Sequence, residues 1–202
     1  MITIITKTYK ALPFRAKEAL RYAGCKAPYK EPDEKTINLL NSCIEEAEDK
    51  LTYSLCYGKF PLNINDDLCD FGVFSVQSST LAKNLSPCDS VIIFAATTGV
   101  GIDRLISKYG RISPARSVMM DAIGSERVEA LCDKFCKDFA LENDVKLRPR
   151  FSPGYGDLPL KTQKDIFSVL DCSRKIGLSL NNSLLMSPTK SVTAFAGILR
   201  KE

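Results

Sequence analysis

The stretch from 90 to 99, SVIIFAATTG, is apolar at almost every position before it meets a threonine pair and a glycine. A strand with one face in water alternates apolar and polar residues; this one does not, so it belongs at the centre of a sheet with both faces covered. Other strand-like segments stand ready to pair with it. MITIITK at the start is β-branched, FGVFSVQS precedes the central strand, and LSLNNSLLM and SVTAFAGI close the chain.

Helical patterns alternate with these strands. FRAKEALRYAG predicts a short helix stopped by Gly24, and KAPYKEP then reads as a turn-rich connector. From Asp33, a suitable N-cap, Ile37, Leu40, Ile44, Ala47, Leu51 and Leu55 recur at steps of three and four, predicting one long core-facing helix. DAIGSERVEALCDKFCKDFALEN predicts a second, broken or entered at Gly124 and Ser125, with Val128, Leu131, Cys132, Phe135 and Phe139 on its buried face. LKTQKDIFSVLDCSRKIG predicts a third, begun by Pro159 and ended by Gly177. The mixture lacks a regular βαβ rhythm. The expected fold is α+β, a single domain over 1–202 with a central, mainly antiparallel twisted sheet flanked by long helices. A chain of 202 residues can bury roughly 70% of its unfolded surface, enough to fold without staples.

Composition removes several classes of function. A net charge of +4, from 28 basic and 24 acidic residues with no basic run, does not make a nucleic-acid footprint. No apolar run approaches the roughly 18 residues of a membrane span, and MITIITK is too short for a signal-peptide core, so the expected setting is cytoplasmic. The chain has no histidine and no CxxC, so the usual zinc sites and the Ser/His and Cys/His nucleophile pairs lack their residues. Its eight cysteines read as small core residues in a reducing compartment. CDKFC begins like a CxxxCxxC cluster motif, but Phe139 stands at the third cysteine position; TTGVGID begins like a dinucleotide loop, but Arg104 stands where a third glycine is needed. A tight strand-to-helix turn, with the helix starting near Asp103, accounts for both of its glycines.

The densest punctuation is RPRFSPGYGDLP, 148–159, with three prolines and two glycines in twelve residues. Proline fixes its own φ and glycine admits positive φ, so this is a stiff turn, and it carries Arg150 and Tyr155. Extended toward the C-terminus as RFSPGYGDLPLKTQKDIFSVLD and then IGLSLNNSLLMSPTKSVTAF, it resembles the C-terminal reactivation domain of cobalamin-dependent methionine synthase. That family has an Arg-x-x-x-Gly-Tyr turn, a helix, a strand, a Met-x-Pro turn and a Ser-Val strand in this order. Here the positions are Arg150, Gly154 and Tyr155, then Met186 and Pro188, then Ser191 and Val192. DAIGSERVEALCD is similar to the family's helix with a ligand-contacting glutamate, which places Glu129 there, while LRYAGC and ATTGVGIDRL resemble its short free-standing members.

The resemblance implies S-adenosylmethionine as the ligand, held beside a corrinoid whose cobalt receives its methyl group after a one-electron reduction. Cobalamin would be carried by a partner, a methionine synthase or related corrinoid protein, and a flavodoxin- or ferredoxin-type donor would supply the electron. The implied binding residues are Glu129, Arg150, Ser152, Gly154 and Tyr155. Arg150 suits a carboxylate, Gly154 and Ser152 leave room for close approach, Tyr155 can stack on a base or border the sulfonium, and Glu129 balances an ammonium or sulfonium charge. No catalytic side chain is expected, because reduced cobalt is itself the nucleophile. Two departures accompany the match: Ala196 stands where the family has a ligand-contacting tyrosine, and the family's amino-terminal aspartate motif has no counterpart. Two other readings stay open, a corrinoid-protein cap or assembly factor that delivers no methyl group, and an enzyme using the same pocket for another nucleotide-like ligand.

Overall fold

The computed structural model describes residues 2–25 and 32–199; most of the KAPYKEP connector lies outside them. Strand β1 (Ile5–Tyr9) leads through an extended arm to helix α1 (Ala16–Tyr22), and α2 (Glu34–Glu48) follows. Next come β2 (Tyr53–Pro61), a small meander of β3 (Asn63–Asn65), β4 (Leu68–Asp70) and β5 (Ser75–Gln77), helix α3 (Ser79–Leu85) and β6 (Cys88–Thr97). Helices α4 (Val100–Ile112) and α5 (Pro114–Glu142), then α6 (Gln163–Leu170) and α7 (Cys172–Ile176), precede the hairpin β7 (Ser179–Leu180) and β8 (Met186–Ser187) and the last strand, β9 (Ser191–Leu199).

The main sheet has the order β1-β2-β6-β9 and is antiparallel throughout, with β6 flanked on both sides as its apolar run requires. Alternation along the strands sends Leu55, Ile92, Phe94, Ala96, Ala194 and Ala196 to one face, where the second half of α5 covers them with Leu131, Cys132, Phe135 and Phe139. The opposite face, including Cys56, Val91, Ile93, Ala95 and Phe195, is covered by α3, α6, α7 and the small meander. The first half of α5 runs off the sheet and makes a helical core with α1, α2 and α4 around Leu40, Cys43, Ile102 and Met120. Fold class and central strand therefore agree with the sequence reading.

Several element boundaries differ from expectation. Helix α2 is capped as foreseen, Asp33 accepting from the Thr36 amide at 2.8 Å, but it ends at Glu48, and Leu55 belongs to β2. Four residues return to the same face in a helix and in a strand alike, so the Leu51–Leu55 spacing fitted both. Helix α5 is unbroken at Gly124: a Cβ there would lie 2.7 Å from Lys190 Cγ and 3.1 Å from Ile102 Cγ1, so the glycine serves close packing. The third long helix divides at Asp171, whose φ of 52° separates α6 from α7. Of FGVFSVQS only Ser75–Gln77 is strand, and LSLNNSLLM reduces to the two-residue arms of the β7–β8 hairpin.

In the TTGVGID turn, α4 begins at Val100, three residues earlier than the sequence indicated. Gly99 has φ 78°, and a Cβ on Gly101 would lie 2.0 Å from the Lys50 carbonyl oxygen. Both glycines answer to packing. Among the described residues no helix is long and apolar enough to cross a membrane.

Candidate functional site

Beyond α5 the chain runs back along the free edge of β9. The Arg148 amide donates to the Gly197 carbonyl at 2.8 Å, and Phe151 and Phe195 exchange amide and carbonyl at 2.9 and 2.8 Å. This pairing lays Pro149–Ser152 against the sheet edge, beside the α5 face that carries Glu126, Glu129 and Asp133. Those three carboxylates recur at steps of three and four, one helical stripe.

The turn at 152–158 is closed by its own backbone. The Tyr155 amide donates to the Ser152 carbonyl at 3.1 Å, Gly154 to the Leu158 carbonyl at 2.9 Å, and Leu158 back to the Tyr155 carbonyl at 3.0 Å. Gly154 and Gly156 hold φ of 94° and 54°, the left-handed region that a side chain disfavours. Asp157 then ties the turn to the start of α3. Its carboxylate accepts from the Ser79 amide at 2.8 Å and hydroxyl at 2.7 Å, the Ser78 hydroxyl at 2.5 Å, the Thr80 amide at 3.2 Å and the Thr80 hydroxyl. Hydrogen bonds from Ser78, Thr80 and Ser79 hold its pKa far below the ordinary carboxylate range. The turn is thus stiff for two reasons, its own prolines and glycines and this capping carboxylate.

Between the turn and α5 lies an open cleft of about 540 Å³, lined by Glu129, Pro149, Arg150, Phe151, Ser152, Tyr155 and Val192. Four of the five residues singled out from the sequence share its wall. Gly154, the fifth, sits in the turn that carries Ser152 and Tyr155. Tyr155 keeps two-thirds of its surface exposed at the rim. Arg150 Nη2 donates to Glu129 Oε2 at 2.9 Å and to Asp133 Oδ1 at 2.7 Å. Burial works against its charge, but the neighbouring Glu129 and Asp133 carboxylates outweigh burial and keep the guanidinium above its usual range. Burial pushes the Cys132 thiol far up and Cys136 up to about 11, so both are neutral core groups beneath the cleft.

Of the other matched positions, Val192 lines the cleft as well, whereas Pro188 does not. Pro188 lines a separate polar groove of about 350 Å³ with Thr97 and Gly99, and Ser191 donates to the Pro188 carbonyl at 2.7 Å. Ala196 is fully buried opposite Ile92, within the core under α5, and cannot reach the cleft. Sequence reasoning missed Asp133, Arg15 and the Asp157 cap, whose partners are distant along the chain.

The cleft holds a fixed cation, a carboxylate beside it and an exposed aromatic ring, a set that can grip a zwitterion joined to a flat ring system. The family model described as vitamin B12 dependent methionine synthase, activation domain, matches residues 79–199, from α3 to the end of β9, more than half of the chain. The chain belongs to that family. Every residue of the cleft wall falls within the matched span of this activation domain. A sequence search of curated proteins finds no match. Among solved structures the fold is similar to the crystal structure of the MetH reactivation domain bound to AdoHcy, with a TM-score of 0.72 at 15% identity, covering all of this chain and 80% of that one. The activation-domain fold is therefore shared at low identity.

Proposed function

We propose that this activation domain binds S-adenosylmethionine in the cleft between α5 and the 148–159 turn. There it supports reductive methylation of cobalamin carried by a separate methionine synthase or related corrinoid protein, with residues 1–202 acting as one unit. The observation that carries this reading is the convergence of Arg150, Glu129, Ser152 and Tyr155 on one cleft of a size suited to a small molecule. When bound, S-adenosylmethionine supplies the methyl group, and a flavodoxin- or ferredoxin-type protein supplies the electron.

The chain's own part is to bind and orient. Free donors of the Arg150 guanidinium take the ligand carboxylate, and Glu129, already 2.9 Å from Arg150, balances the ammonium or sulfonium. Tyr155 presents an exposed ring to stack on the adenine or border the sulfonium, and Ser152 and Gly154 keep the turn backbone within reach. Because Asp157 and the turn's own hydrogen bonds fix this wall beforehand, binding loses little entropy in ordering it. Orientation of the methyl group toward a docked corrinoid is then catalysis by positioning.

Calorimetry with S-adenosylmethionine tests the binding half, and addition of the chain to cob(II)alamin-inactivated methionine synthase with reduced flavodoxin tests the rest. The expected result is saturable heat and recovered activity that depends on both additions. A second reading, a cap that docks on a corrinoid protein without delivering methyl, is favoured by one observation: both Glu129 and Asp133 already occupy Nη2 of Arg150. No heat at millimolar ligand from a folded sample would select that reading and sink the first.

A further inference from the structure

Beside the cleft, but outside its wall, the side chains form a chain of alternating charge. Fully buried Glu126 uses one oxygen for Arg127 Nε at 2.6 Å and the other for Arg15 Nε at 2.9 Å. Arg15 passes its Nη1 to Asp133 Oδ2 at 2.7 Å, and Asp133 gives its remaining oxygen, Oδ1, to Arg150 Nη2. Each bridging carboxylate spends separate oxygens on separate arginines. Arg127 in turn holds the Leu12 and Pro13 carbonyls at 2.8 Å, which fixes the arm that carries Arg15.

We infer that Asp133 and Arg15 are positioning residues for Arg150 and set how tightly the cleft holds the amino-acid end of its ligand. This rests on the function proposed above. Arg150 spends only Nη2 on protein carboxylates, and Nε and Nη1 have no hydrogen bond among the described residues. Two acceptors on a single nitrogen fix the plane of the guanidinium, and with it the directions of the uncommitted donors. Asp133 is half exposed and alone would be a soft anchor; Arg15 on its second oxygen removes that freedom. The Asp133 pairs are half exposed, and such pairs add little to stability, so Asp133 acts on geometry more than on the fold. Arg15 also serves the fully buried Glu126, so the loss of Arg15 carries a stability cost as well.

The test measures calorimetric Kd on the full chain for two probes: AdoHcy, and 5′-deoxy-5′-methylthioadenosine, which shares the nucleoside thioether but lacks the amino-acid end. The variants are Asp133→Ala, Asp133→Asn, Arg15→Ala and Arg15→Lys, with Arg150→Ala as reference and a melting curve for each. Asp133→Ala and Arg15→Ala should weaken AdoHcy about tenfold, the share of a charge-assisted contact that misalignment forfeits, and leave methylthioadenosine unchanged. Arg15→Lys should recover part of the loss. If the unmodified chain binds neither probe, the proposed function falls. If it binds AdoHcy and both alanine variants bind it as tightly, the relay falls alone, and so it does if both probes weaken equally with a lowered Tm, the mark of a structural role.

Discussion

Gly156 offers the sharpest test of whether the 148–159 turn is held against α3. Its φ is 54°, and a Cβ there would lie 2.5 Å from Thr80 Oγ1 and 3.1 Å from Thr80 Cβ and Cγ2. Alanine in the left-handed region costs about 1–2 kcal/mol, and overpacking against a residue held by hydrogen bonds adds a further 1–3 kcal/mol or so. Thr80 cannot yield freely, because its amide and hydroxyl both bond Asp157. Gly156→Ala should therefore destabilise by about 2–5 kcal/mol and lower Tm by on the order of 10 °C in a chain of this size. Gly177→Ala is the control: φ is 65° with nothing within 4 Å of the added carbon, so only the conformational cost of about 1–2 kcal/mol applies. Melting curves followed by circular dichroism read both. Gly156→Ala should also weaken AdoHcy binding, whereas Gly177→Ala should leave it unchanged. Equal Tm losses in the two variants would refute the claim that α3 braces the turn.

Arg150→Ala should raise Kd for AdoHcy roughly 10- to 150-fold, the worth of a charge-assisted contact of about 1.5–3 kcal/mol, while the fold persists; calorimetry and a melting curve check both halves. Phe135 packs against Tyr57, Phe94 and Phe139 beneath α5, and Phe135→Ala should cost about 3–5 kcal/mol in urea unfolding. Arg127→Met leaves Glu126 buried without its nearest cation and should cost about 3–5 kcal/mol, with the double variant Glu126→Leu/Arg127→Met recovering much of it. Hydrogen bonds from Tyr109, Lys108 and Arg116 hold the Glu46 carboxyl down to about 2, below its unfolded value of about 4.3. Its stabilising contribution is therefore complete above roughly pH 4.5 and lost as pH falls toward 2, and Glu46→Gln should flatten the urea midpoint against pH across that window.

What was legible in the sequence was local, and what was hidden was pairing across the chain. The apolar run of β6 and the stripe of α5 announced a sheet with a long helix over it, because burial on both faces leaves a strand continuously apolar and burial on one face leaves a helix a period of 3.6. Glu129, Arg150, Ser152 and Tyr155 were legible as a group because one lies in a recognisable helix motif and three fall within a single short turn. Arg15 and Asp133 left no such mark: they meet across 118 residues, and an arginine near the amino end looks like any solvated charge. Asp157 was hidden in the same way, 78 residues from the Ser79 amide it caps. This bears on what stiffness in a sequence means. Pro149, Pro153 and Pro159 restrict how the turn bends, but they do not fix where it sits; the Asp157 contact with α3 and the Phe151–Phe195 bridge do that. The same twelve residues grafted after another helix, without a Ser-Ser-Thr start to receive Asp157, would keep the bend and lose the cleft.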